Sequence, residues 1–530
     1  MSSSAGGSAP QLTSAVDTLT RAIDELDFDA ANEAVRGAWF ELLHVHGAAS
    51  RAALERVPLR QLAAHPLLAM LLGICYNGVD HRRAKAVQYF TLASAAMRTR
   101  GDRTSSADRV LILASESAAL RLIGRTAAAA GPARAALREL EAMPAADRAE
   151  TFSYLPRLYG QLGTSLYSSG DVEEAMDAFV IGLAETSDAG DGAGFTNVSM
   201  LAGIHAFDGD LPEADRDLVI ARSAPWTDLQ RSMYPGTFYR LAEAVLALER
   251  FDVAVAETHL AAMMHDRRTI EHWTAIARVE ALTTLAAGHP AEALARLEAF
   301  ANSRGGEGRS GAARSALASV RSLLHLASGK PDAAQNVVHR DAPSTPQTNV
   351  DRARIELALA RPGAALRELR AVAGVPQSTR TAAEAAALEA AVFLRLADPQ
   401  RARSAIEHVC AALDVSALRM PLGLLQPRDL ERVREVAAGL GRDDIFTDVP
   451  VRSLLVDIST GSVLTPRELA VLRALMNTAS VAEIAAEAVV SVNTVKSQLQ
   501  SIYRKLGARN REEAIAIALD RHLLAAEERT

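Results

Sequence analysis

Between Val492 and Arg511 the chain carries five basic residues, Lys496, Arg504, Lys505, Arg509 and Arg511, and no acidic one. Lysine is scarce elsewhere: of the four in the chain, Lys85, Lys330, Lys496 and Lys505, two fall in this window. Val495, Leu499, Ile502 and Leu506 recur there at helical spacing, so they share one apolar stripe. Asn493, Lys496, Ser497, Gln500 and Arg504 are left on the opposite face. Amide and hydroxyl groups that pair with base edges, beside cations that neutralise phosphates, are what a helix needs to read the major groove. A merely solvated helix face ordinarily mixes both charge signs. The chain's net charge of −7, evenly spread, would repel nucleic acid, so this local asymmetry carries the argument.

Four helix starts, each with its own capping residue, surround that face. Thr465-Pro-Arg-Glu468 has the form of a capping box with proline at the first helical position, and Ser480-Val-Ala-Glu483 is a second box. Ser491 caps the third helix and Asn510-Arg-Glu-Glu513 opens the fourth. The first helix is expected to bury Leu469, Leu472 and Leu475 or Met476, and the second Val481, Ile484, Ala485 and Ala488. Val489-Val490-Ser491 then forms the tight turn before the third.

Catalytic chemistry finds no comparable support. A phosphate-cradling loop needs glycine, lysine and a hydroxyl residue in succession, whereas the one Gly-Lys pair, Gly329-Lys330, is followed by Pro331. His44 and His46 lie two positions apart and point to different sides of a helix. His259, His265, His272 and Trp273, interleaved with Met263, Met264, Arg267 and Arg268, could line a pocket, although a mixed core-and-surface helix pair explains them as well. Cys75 and Cys410 are far apart and form no metal-binding spacing. No enzyme activity, cofactor or metal is expected.

At 530 residues the chain is too long for one core. A recurring turn explains how it is built: Gly170-Asp-Val-Glu-Glu-Ala175, Gly209-Asp-Leu-Pro-Glu-Ala214, Gly288-His-Pro-Ala-Glu-Ala293 and Gly329-Lys-Pro-Asp-Ala-Ala334. Glu249-Arg-Phe-Asp-Val-Ala254 is a degenerate copy, giving starts 39, 40, 39 and 41 residues apart. Weaker copies stand at Gly124, Ala360-Arg-Pro-Gly-Ala-Ala365 and Ala397-Asp-Pro-Gln-Arg-Ala402, with Leu26-Asp-Phe-Asp29 and Gly78-Val-Asp80 as the least regular. Glycine closes one helix in a left-handed cap, and Asp or Pro opens the next. The period suits a stack of two-helix units, whose surface either binds an effector or protein or serves as a spacer. The chain should be all-α: a helical-hairpin solenoid over residues 1–440, a loosely structured linker over 441–463 rich in Gly, Asp and Pro, and a four-helix domain over 464–530.

Hydrophobic residues make up 49% and charged residues 23%, as in globular proteins, and no run of eighteen apolar residues occurs. Met1 to Gln11 lacks the basic and apolar regions of a secretion signal, so a cytoplasmic location without membrane contact is expected.

Leu464-Thr-Pro-Arg-Glu-Leu469, Glu483-Ile-Ala485, Asn493-Thr-Val-Lys496 and Ile502-Tyr-Arg-Lys-Leu-Gly507, followed by Arg509-Asn-Arg-Glu-Glu-Ala514, together resemble the LuxR helix-turn-helix family. The resemblance implies a transcription regulator that acts on double-stranded DNA with RNA polymerase. In it the third helix reads the groove and the fourth mediates homodimer contacts. By position, Lys496, Ser497 and Gln500 match groove-facing residues, and Thr494, Arg504 and Lys505 match backbone contacts, with Asn493 at the helix start. Val481-Ala482 stands where the family often has Asn-Lys, which removes a phosphate contact from the second helix.

The copy from Leu162-Gly163 through Phe179 and Ala184 resembles a tetratricopeptide repeat, while the other copies favour a looser relative. The combination is similar to the MalT-like regulators without their ATPase module. Two other readings remain: a repeat scaffold whose C-terminal domain docks protein, and a sigma-factor-like subunit. The link into a fourth helix favours the LuxR type over the latter.

Overall fold

The computed structural model describes residues 14–77, 83–100, 104–146, 148, 152, 154–185, 194–223, 225–458, 464–477, 480–488, 490–506 and 508–520. Among them every regular element is a helix. The chain divides into two units, residues 1–283 with 297–313, and residues 284–296 with 314–530.

The first unit begins around one helix that is apolar on every side. Leu67, Leu68, Ala69, Met70, Leu71 and Leu72 of Pro66–Asn77 are all fully buried, as a helix without a polar face must be. No helix among the described residues is long and apolar enough to cross a membrane. Antiparallel pairs follow: Ser106–Leu122 with Thr126–Ala142, Leu155–Ser169 with Val172–Ala184, Phe195–Asp208 with Leu211–Arg222, and Thr237–Glu249 with Val253–Ala261. Gly163 allows the second pair to close, because a Cβ there would stand 2.6 Å from the Phe179 ring.

The turns have one conformation in common. Gly124, Gly170 and Gly209 take φ of 80°, 97° and 98°, and Gly288 and Gly329 take 91° and 70°. The degenerate copies keep the geometry without the glycine: φ is 56° at Phe251, 57° at Ala360, 54° at Ala397 and 59° at Leu26. This corrects the register of the fifth copy by two residues, since Phe251 and not Glu249 holds the glycine position. Asp252 then caps the next helix by accepting from the Val255 N–H at 3.1 Å, as Asp210 and Asp398 do in their own turns. The sequence hid the shift because a phenylalanine in a left-handed cap defies local preference. Gly78-Val-Asp80 lies outside the described residues.

In the second unit the pairs Pro346–Ala358 with Pro362–Arg370 and Thr379–Arg395 with Pro399–Ser416 continue the pattern. Each second helix has proline at its start, where no amide donor is needed. Over 441–458 the connecting segment packs on its neighbours at several points. Ile445 and Phe446, on the short helix Asp444–Thr447, are buried, as are Val451 and Leu455. Leu454 N–H donates to Gly423 O at 2.8 Å, Ser453 Oγ to Leu425 O at 2.6 Å, and Gln426 Nε2 to Val456 O at 3.2 Å. Gly, Asp and Pro in this segment therefore specify turns on a packed surface. Residues 459–463 lie outside the described residues.

Candidate nucleic-acid interface

Among the described residues four helices make the C-terminal domain: Pro466–Asn477, Val481–Glu487, Val492–Leu506 and Arg511–Asp520. Their core holds Leu464, Val471, Leu472, Leu475, Ile484, Ala485, Ala514 and Ala518 around the third-helix stripe Val495, Leu499, Ile502 and Leu506. Of the two alternatives Leu475 and Met476, Leu475 is the one buried; Ala488, expected inside, is exposed, and Leu469 and Val481 are half-buried. Val471 is buried as well, because the 471, 472 and 475 positions of the first helix face inward.

The expected caps form. Thr465 N–H donates to Glu468 Oε2 at 2.7 Å while Glu468 N–H donates to Thr465 Oγ1 at 3.2 Å, closing the first box. Ser491 Oγ accepts from the Thr494 N–H at 3.1 Å, and Asn510 Oδ1 from the Glu513 N–H at 2.8 Å. Ser480 caps through the Ala482 N–H instead of the third amide a box would use.

The outer face of the third helix presents Asn493, Thr494, Lys496, Ser497 and Gln500, all exposed, with no carboxylate among them. Thr494 spends part of its hydrogen-bonding capacity locally, its Oγ1 lying 2.7 Å from Ser491 Oγ. The side chain of Arg504 lies outside the described residues.

Lys505 departs from the expected backbone-facing position. Its Nζ reaches Glu468 Oε2 at 2.7 Å, and the two side chains are only 15% and 8% exposed, so the ammonium is turned into the domain. Ser501 Oγ donates to Glu468 Oε1 at 2.7 Å. Burial alone would raise the Glu468 carboxyl, but the Lys505 ammonium, the Thr465 amide and the Ser501 hydroxyl outweigh it and hold the pKa down at about 2. Glu468 thus ties the start of the first helix to the inner side of the third. Its capping role was visible in the sequence, whereas its grip on Ser501 and Lys505 depends on how the helices cross.

Residues 462–518 match the family described as bacterial regulatory proteins, luxR family. The C-terminal domain is a LuxR-family DNA-binding domain. Transcriptional regulatory protein YdfI of Bacillus subtilis (strain 168) is 46% identical to this chain over 61 residues. That stretch is 12% of the chain and 29% of YdfI, so the similarity spans less than a third of the relative.

Proposed function

We propose that the chain is a transcription regulator whose LuxR domain lays Val492–Leu506 in the major groove. The observation that supports this most directly is the exposed outer face of that helix, where Lys496, Ser497 and Gln500 stand beside one another without a carboxylate. Ser497 and Gln500 meet base edges, Lys496 in the same groove meets a guanine or a phosphate, and Asn493, Thr494 and Arg504 serve the helix start and the DNA backbone. Lys505 positions the helix through Glu468, and a phosphate contact from it would require the phosphate to replace that carboxylate. Paired copies occupy two half-sites, since one short helix reads too few bases alone. The helical repeats over the N-terminal part bind an effector or a protein, the LuxR domain spans 464–530, and the regulator works in the cytoplasm with RNA polymerase.

The test is an alanine series on the third helix, measured on a duplex selected by the protein itself and on random duplex across a salt range. Gln500→Ala should cost about 1–3 kcal/mol on the selected site and little on random DNA, because its amide pairs with a base edge. Arg504→Ala should weaken all sequences alike and lower the salt slope by about one unit. Lys496→Ala shows which class its ammonium belongs to. Uniform losses for Gln500→Ala, or no loss for any of the three, would overturn the reading.

A further inference from the structure

In a stack of hairpins each unit touches its neighbours. One network in the first unit reaches much further. Arg121, near the end of Ser106–Leu122, donates through Nη1 to Glu271 Oε1, 150 residues later, in the segment that leads into Trp273–Ala286. Its Nη2 donates to Gln161 Oε1 at 3.1 Å. Tyr234 OH donates to Glu271 Oε2 at 2.7 Å and lies 3.3 Å from His272 Nε2. The Tyr234 and His272 rings stack at 5.6 Å and 13°, and Phe238 meets His272 edge-on at 4.8 Å. Helical pairs far apart in the chain thus contribute to one polar and aromatic cluster.

Two features of this cluster are unexplained by structure alone. Arg121 is 6% exposed, yet its buried Nε has no hydrogen-bond partner, so the guanidinium keeps a donor to spare beside its ion pair. Tyr234 is 39% exposed, so the cluster opens to solvent at a ring whose hydroxyl points at the Arg121–Glu271 pair. Burial pushes the His272 imidazole down to about 4, with Glu271 and Arg121 acting in opposite senses, which leaves it neutral against the Tyr234 ring.

We propose that Arg121 anchors a binding site for a small carboxylate borne on a flat ring, and that the Glu271 carboxylate now holds the place the ligand's carboxylate takes. A guanidinium fork matches a carboxylate in shape and charge. Tyr234 supplies an exposed ring, backed by the buried His272 and Phe238, and a phenolic donor beside it. Glu271 sits between the helix that ends at Ala261 and the one that starts at Trp273, outside any helix that would fix its direction. Displacing it frees two distant hairpins from each other, which gives the repeats a way to respond to an effector. This inference rests on the reading that the repeats bind one.

Calorimetry and thermal unfolding of the full chain without DNA test it, so the outcome is independent of whether the LuxR domain reads an operator. The probes are benzoate and indole-3-acetate, with acetate and benzamide as controls for the ring and the charge. Benzoate or indole-3-acetate should bind saturably and raise the melting temperature, while acetate and benzamide should not. Glu271→Gln keeps a hydrogen-bond acceptor for Arg121 but removes the competing charge, so it should bind the aromatic carboxylates about tenfold more tightly. Arg121→Gln, checked for folding by circular dichroism, should abolish binding, and Tyr234→Phe should weaken it. Absence of saturable binding to both the natural chain and Glu271→Gln overturns the proposal. So does binding that survives Arg121→Gln, or benzamide binding as well as benzoate.

Discussion

Glu468 and Lys505 meet at 2.7 Å across 37 residues of chain, one in the first turn of the LuxR domain and the other near the end of its third helix. The pair fixes how the third helix lies against the first, and with it which residues the outer face displays. Glu468→Gln preserves the cap, since glutamine also closes a capping box, but it strands the Lys505 ammonium. A loss of about 1.5–3 kcal/mol is expected for a charged hydrogen bond. Hydrogen exchange of the amides in residues 492–506 of the intact chain should rise accordingly; unchanged protection would show that the apolar core alone sets the helix.

The same carboxyl makes the domain sensitive to acid. Its folded pKa of about 2 lies below the ordinary 4.5, so the unfolded chain takes up the proton first as the pH falls. The contribution of Glu468 is therefore complete above about pH 4.5 and is lost as the pH drops towards 2. Exchange of the third-helix amides, followed from pH 6 to about 3 and corrected for the intrinsic rate, should accelerate in the natural chain more than in Glu468→Gln.

Where the packed chain ends and the LuxR domain begins is open to a direct comparison of fragments. Residues 459–530 contain the whole of the described core from Leu464 to Ala518 and should fold alone. A fragment starting at 441 carries Ile445, Phe446, Val451 and Leu455 away from the surfaces that bury them, and should aggregate. Equal solubility of the two, by sedimentation and circular dichroism, would argue that the 444–457 contacts are weak.

Left-handed turns without glycine leave room for improvement. Ala397 is exposed with φ of 54°, a conformation that costs an ordinary side chain about 1–2 kcal/mol and glycine almost nothing. Ala397→Gly should lower exchange in residues 379–416, and Gly209→Ala, at φ of 98°, should raise it in 195–222. Opposite signs are required; the same sign for both would mean that chain entropy outweighs the turn.

Pairing on DNA is expected to run through the fourth helix. Ala514 and Ala518 face its core, while Leu519 is 53% exposed on Arg511–Asp520. Leu519→Asp should abolish footprints over paired half-sites while leaving exchange in the domain unchanged. Retained paired footprints would move the contact elsewhere.

The four helices of the LuxR domain were legible in the sequence because their information is local: Thr465, Ser480, Ser491 and Asn510 cap helices whose apolar residues repeat at helical spacing. The stripe from Val495 to Leu506 and the carboxylate-free face opposite it needed nothing beyond periodicity. The repeat turns were legible wherever glycine marked them, at Gly170, Gly209, Gly288 and Gly329. Phe251 was placed two residues out of register because packing holds a phenylalanine where local preference would put glycine. Lys505 is a DNA-backbone position only through the family resemblance, and helical phase leaves a lysine at the edge of the apolar stripe free to turn either way. Only the crossing of the first and third helices brings Glu468 within reach and turns it inward. Arg121 and Glu271 were beyond any local pattern for the same reason: 150 residues separate them, and only the course of the repeats between them brings the two charges together.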